Sequence, residues 1–278
     1  HPLRRDTAVV FASPHSGRAY PYAFLRRSAL DEPAIRSSED AFVDRLFDTA
    51  PRHGAPFVTA TVPRAYLDLN RGAEELDPAL IDGVRKSALN PRIASGLGVI
   101  PRVVANGKAI ESARISRDEA EDRLDSCWRP YHAALRRELD TAHAVFGHAV
   151  LIDCHSMPHE AMDSVARSGA ARPDVVLGDR FGAAADPGTV ELIERAFCEA
   201  GFKVARNTPF AGAYVTQTYG RPHFGYHAVQ VEIDRALYMD EARICPHDGF
   251  DAFKRRLEGV IARISQIGRP AGRSLAAE

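Results

Sequence analysis

Short apolar runs alternate with longer amphipathic stretches along most of the chain. The runs TAVVFAS, APFVTATV, HAVLIDC, PDVVLG, GFKVA and HAVQVEI are rich in β-branched residues and read as strands. Helical signals lie between them. The segment 117–146 follows Ser116, with Glu119 three residues on in a capping-box pattern, and its Pro130 predicts a kink or a split. Asp186-Pro187 predicts a helix start and Gly201 its stop, while 248–267 repeats apolar residues with the 3.6-residue period. This alternation predicts an α/β fold, a central mixed and mostly parallel sheet flanked by helices on both faces. There is no internal repeat and no linker of biased composition, so 1–278 reads as one catalytic-sized domain. The stretch 72–115 has scattered Gly and Pro and weak periodicity. It reads as a surface excursion, of the kind that can cover a site.

Charge narrows the partners. The 36 basic and 37 acidic side chains leave a net charge of -1. Nucleic-acid and membrane surfaces both ask for a sustained basic excess, so a small molecule is the expected ligand. No apolar run approaches the roughly 20 residues of a membrane span. Cys127, Cys154, Cys198 and Cys245 form no C-x-x-C pair, which suits a reducing cytoplasm better than a disulfide framework or a cysteine zinc cage. The chain starts at His1 without a Met or a secretory signal pattern, and residues are expected to precede it in the complete protein. Nothing in the pattern speaks to oligomeric state.

In open α/β sheets, ligands bind beyond the carboxyl ends of the strands, so the polar residues after each apolar run deserve collection. Pro14-His15-Ser16-Gly17 follows VVFAS, and His155-Ser156 follows VLIDC. Two strand-end imidazoles are what the first two ligands of a zinc site look like, although a hydrogen-bonded structural histidine is the commoner occupant of such a place. A carboxylate would complete the set. In SSEDAFVDRLFDTA, Ser37 or Ser38 predicts a helix cap, Glu39, Asp40 and Asp44 follow, and Asp40 and Asp44 would share a face; acids there also complement a helix dipole. Glu232 stands in the apolar run HAVQVEI, where an ionised carboxylate is costly unless partnered, and it suits a general base. Gln230, Glu232 and Asp234 alternate as one polar face, which can face either solvent or the crevice. In VPRAYLDLNR, Arg64 and Arg71 bracket an expected short strand; one guanidinium could steady an oxyanion and the other bind a carboxylate, unless both serve surface ion pairs.

Taken in order, SPHSG, EDAFVDRLF, RAYLDLNR, IDCHSMP, PDVVLGDRFG and HAVQVEIDRALYMDE resemble the N-formylglutamate amidohydrolase family, over about 9–255. That family is similar to the aspartoacylase and succinylglutamate desuccinylase group and, more distantly, to zinc carboxypeptidases. The resemblance implies zinc-assisted hydrolysis of N-formyl-L-glutamate to formate and L-glutamate, a late step of histidine breakdown. It implies one zinc ion held by His15 and His155, with Glu232 as general base and proton donor. It also implies Arg64 polarising the scissile carbonyl, and Asn70 with Arg71 clamping a substrate carboxylate. The aspartoacylase group takes its carboxylate ligand three residues after the first histidine, where this chain has Arg18. Asp40 then best matches the acidic position of formylglutamate amidohydrolases, with Glu39 and Asp44 as alternatives.

Three further readings follow from the residues. Asp153 would share its strand face with His155 and could accept an imidazole N–H. A Cys154 nucleophile is disfavoured because His155 projects to the opposite side and buried strand cysteines are usually inert. Hydrolysis of another N-acyl amino acid or a cell-wall peptide would use the same residues, as would a binding protein without catalysis. His159 acquires no role.

Overall fold

The structure is a computed structural model, and residues 1–85, 90–104, 107–163 and 172–269 are described. The six apolar runs form six strands: β1 (Val9–Ser13), β2 (Phe57–Thr59), β3 (Ala149–Met157), β4 (Val175–Gly178), β5 (Val204–Arg206) and β6 (Tyr226–Asp234). They build one sheet in the order β2-β1-β3-β6-β4-β5. Four pairings are parallel and only β4 with β6 is antiparallel, so the sheet is mixed and mostly parallel, as the alternation predicts.

Pleating sorts the side chains into two cores. Val9, Phe11, Val150, Ile152, Cys154, Val229, Val231 and Ile233 pack on one face with helices α2 (Pro187–Glu199) and α4 (Phe250–Ile264). Val10, Ala12, Ala149, Leu151 and Ala228 pack on the other with α1 (Arg129–Phe146) and α3 (Tyr214–Tyr219). All nine residues of β3 are buried, as befits a central strand covered on both faces. Among the described residues, no helix is long and apolar enough to cross a membrane.

The helix expected over 117–146 is divided, and the sequence signals account for it. Ser116 Oγ accepts the Glu119 amide N–H at 3.1 Å and caps Arg117–Arg123. The π-helical turn Leu124–Trp128 then leads into α1, whose first turn holds Pro130. Pro130 has no amide hydrogen to give and its ring would clash with the carbonyl one turn back, and the widened turn relieves both.

Two other expectations are corrected. Ser37 does not cap a helix containing Asp40; it ends the helix Glu32–Arg36, and the next helix is only Val43–Leu46. Between them Phe42 takes a left-handed conformation (φ 67°), which reverses the chain, so Asp40 and Asp44 share no helical face. The RAYLDLNR segment forms no strand. It runs as consecutive turns through the interior, because Leu67 and Leu69 must reach the α1-side core while Asp68 and Asn70 turn the other way.

Candidate active site

The pleat of β3 and its pairing with β6 place the central chemistry. Asp153, His155 and Met157 share the face opposite Cys154, and in the β3–β6 register His155 lies directly beside Glu232. Both side chains open into a cavity of about 530 Å³. His15 reaches the same cavity from the loop after β1, and Asp40 from the turn before Val43–Leu46, where its amide donates to the His15 carbonyl at 3.0 Å. Arg64, Asn70 and Arg71 line it from the RAYLDLNR turns. All seven sequence-selected side chains therefore meet in one place.

One ligand atom each from His15, Asp40 and His155 can be chosen so that all lie within 4.8 Å of one another, and all three residues are buried. Asp40 Oδ2 accepts from His15 Nδ1 at 3.3 Å and His155 Nδ1 at 2.9 Å. Burial alone would raise the Asp40 pKa, but these two imidazoles hold it well below the ordinary carboxylate value. His155 moves the other way. Burial opposes its charge, yet Asp153 and Asp40 keep its pKa well above the usual histidine value. Two imidazoles and one carboxylate, mutually close and buried, are a donor set that fits a zinc-type ion once the imidazoles give up their extra protons.

The other two acids of that segment are engaged elsewhere. Glu39 accepts from Tyr20 at 2.6 Å and from Arg36, while Asp44 pairs with Arg18 at 3.1 Å. His15 Nε2 bonds Asp68 Oδ1 at 2.7 Å, the carboxylate support that metal-binding histidines commonly have. Asp153 Oδ2 lies 3.0 Å from His155 Nε2 but out of line for a hydrogen bond, so the expected acceptor contributes field rather than a directed bond.

Glu232 is buried and Gln230 Nε2 donates to it at 2.8 Å. Burial, with Asp40 nearby, outweighs His155 and Arg64 and pushes its pKa up to about 7. A carboxyl group so placed can take and return a proton near neutrality. Arg64 donates from Nε to Asp68 at 3.0 Å. Asn70 is already committed on both sides of its amide, accepting from Val215 N at 2.8 Å and placing Nδ2 3.3 Å from His155 Nε2. Arg71 donates to the carbonyls of Leu97 and Asn70.

A profile of the N-formylglutamate amidohydrolase family matches residues 7–239. The chain belongs to that family. It is 32% identical to the N-formylglutamate deformylase of Pseudomonas putida over 240 residues, covering 84% of this chain and 82% of that one. The crystal structure of N-formylglutamate amidohydrolase from Ralstonia eutropha JMP134 superposes with a TM-score of 0.88 at 35% identity, covering 95% of each chain. The gene product Atu2144 of Agrobacterium tumefaciens shares the fold, with a TM-score of 0.60 at 16% identity over 94% of this chain and 92% of that one.

Several supporting residues of this amidohydrolase-family site escaped the sequence reading. Arg235 donates to Asp40 Oδ1 at 3.1 Å, the Glu39 carbonyl at 2.8 Å and Ser156 Oγ at 3.1 Å, locking the third member of the cluster. Asp68 ties His15, Arg64 and the Asn70 amide together. Both stand in motifs that the sequence singles out, DLNR and EIDRALYMDE, and for Asp68 a polar residue flanked by two leucines was the available signal. A third group had no signal. Arg123, Trp128 and His132 donate to the carbonyls of Tyr66, Arg71 and Leu69 at 3.2, 2.9 and 3.0 Å, so the helix Arg117–Arg123, the π turn and α1 grip the RAYLDLNR turns from behind.

Proposed function

We propose that the protein is a zinc-dependent amidohydrolase, one catalytic domain that converts N-formyl-L-glutamate and water to formate and L-glutamate. The observation that carries this reading is the register of β3 with β6, which sets Glu232 beside the buried His15–Asp40–His155 cluster. The names of the relatives supply the substrate. His15, Asp40 and His155 would hold the ion, and when bound it supplies Lewis-acid stabilisation of developing negative charge and a more acidic water at neutral pH.

The chain's own groups do the rest. Glu232, held by Gln230 and poised near neutrality, accepts the proton of the attacking water and returns it to the departing amine nitrogen. Arg64, fixed by Asp68, presents its guanidinium to the oxygen of the scissile carbonyl as charge builds there. Arg71 binds a substrate carboxylate, and Asn70 joins it through whatever donor capacity its contact with His155 leaves. We place the reaction in histidine breakdown in the cytoplasm, a setting in keeping with four free cysteines.

The test is a hydrolysis screen of N-formyl and N-acetyl amino acids with chelator-treated and zinc-reloaded protein. Activity on N-formyl-L-glutamate that disappears with chelator and returns with zinc is expected. Turnover confined to substrates with non-acidic side chains, or untouched by chelation, would overturn the reading.

A further inference from the structure

Four arginines line the cavity, Arg64, Arg71, Arg92 and Arg235. Two are matched by carboxylates, Arg64 by Asp68 and Arg235 by Asp40. The other two are not. Arg71 bonds only the carbonyl oxygens of Leu97 and Asn70, and Arg92 pairs with no carboxylate among the described residues. They belong to one wall. The Leu97 amide donates to the Arg92 carbonyl at 2.8 Å, and Arg71 Nε donates to the Leu97 carbonyl at 3.1 Å. Burial, with Arg64 and Arg92 nearby, outweighs the field of Asp68 and lowers the pKa of Arg71.

A ligand with a single carboxylate would compensate one of these cations and leave the other facing it. We propose that Arg92 is a specificity-determining residue that binds the side-chain carboxylate of a dicarboxylic N-acyl amino acid, while Arg71 takes the carboxylate next to the amide. This rests on the amidohydrolase reading above and assigns the residue that selects an acidic side chain. Val103 and Val104 line the same cavity and suit the methylene groups of such a side chain. Arg71 is buried and Arg92 exposed at the rim, so the Arg92 pair is the weaker of the two, because solvent screens it.

Two measurements test the assignment on zinc-loaded protein: kcat/KM for N-formyl-L-glutamate against N-formyl-L-glutamine, and calorimetric binding of L-glutamate against L-glutamine. Arg92→Ala should lower the preference for the glutamate member of each pair about tenfold, mainly through KM, and Arg92→Lys should recover part of it, since the ammonium keeps the charge without the planar fork. A preference in Arg92→Ala within about twofold of the wild type would overturn the assignment. So would wild-type protein that binds L-glutamine as tightly as L-glutamate. If the wild type fails to hydrolyse N-formyl-L-glutamate while Arg92→Ala still loses glutamate binding selectively, the amidohydrolase reading fails and the assignment of Arg92 stands.

Discussion

The two sides of the cavity are built by different means. The side formed by strand ends carries His155 and Glu232 on β3 and β6, where backbone ladders fix each residue and pleating fixes its direction. The opposite side comes from the excursion, where Arg92 stands on the short helix Pro91–Ala94 and Leu97 and Val103 lie outside any helix or named strand. There, position depends on individual bonds such as Arg102 Nε to Asp77 Oδ2 at 2.9 Å and Arg71 Nε to Leu97 O at 3.1 Å. Proton transfer needs reacting atoms held to within a fraction of an ångström, which a ladder supplies, whereas selection of a side chain tolerates and exploits a replaceable wall. The comparison predicts that damage to the strand side lowers kcat and damage to the excursion raises KM.

The largest effect should come from Glu232→Gln. General acid–base catalysis by a placed carboxylate is worth roughly 10²–10⁴-fold, so turnover should fall by that factor while zinc content, measured by mass spectrometry, stays the same. Near-normal formate release from this variant would remove Glu232 from its role. Arg64→Ala comes next. Loss of one oxyanion donor commonly costs about 10²–10³ in kcat. A change confined to KM would reassign Arg64 to substrate binding.

The third prediction concerns the support behind the RAYLDLNR turns. His132 accepts from the Tyr219 hydroxyl at 2.8 Å, donates to Leu69 O, and is pushed down to about 4 from 6.5, first by burial. A histidine with a depressed folded pKa stays neutral in the fold, so its contribution is complete above about pH 6.5 and is lost as pH falls toward 4. At about 1.4 kcal/mol per pKa unit the loss is at most about 3.5 kcal/mol. Urea unfolding of wild type and His132→Gln between pH 7.5 and 4.5 should show it, with the variant's stability falling less steeply over that interval. Parallel slopes would show that another group titrates.

The smallest effect belongs to the excursion. Asp77 is buried and also accepts from the Ala79 amide at 2.7 Å, so Asp77→Ala should cost about 1–2 kcal/mol and raise KM several-fold with kcat nearly unchanged. A fall in kcat as large as that of Arg64→Ala would mean that the excursion participates in chemistry and that the division between the two walls is false.

The architecture was readable because burial imposes a period on the sequence. Six apolar runs had to become six strands, and alternation alone put His155 and Asp153 on one face and Cys154 on the other. Glu232 stood out for the same reason, as a carboxylate in a run that otherwise belongs to the core. The excursion and the acidic segment around Asp40 carry no such period. Their course is set by contacts far along the chain, as when Arg235 and His155 meet Asp40 across about 200 and about 115 residues of sequence. A helix-like pattern at 37–48 therefore misled, because a left-handed Phe42 and a buried cluster outweighed local propensity.

The sequence by itself determined the sheet, the two core faces and the residues able to do the chemistry, since those follow from hydrophobic period and side-chain type. Tertiary structure alone decided which of Glu39, Asp40 and Asp44 joins the two imidazoles, and that Arg235 and Asp68 brace the cluster. It alone left Arg71 and Arg92 lining one cavity with no carboxylate paired to either among the described residues. Local pattern reports what a residue would bury or expose, but the partner of a charge is fixed only when distant segments are brought together.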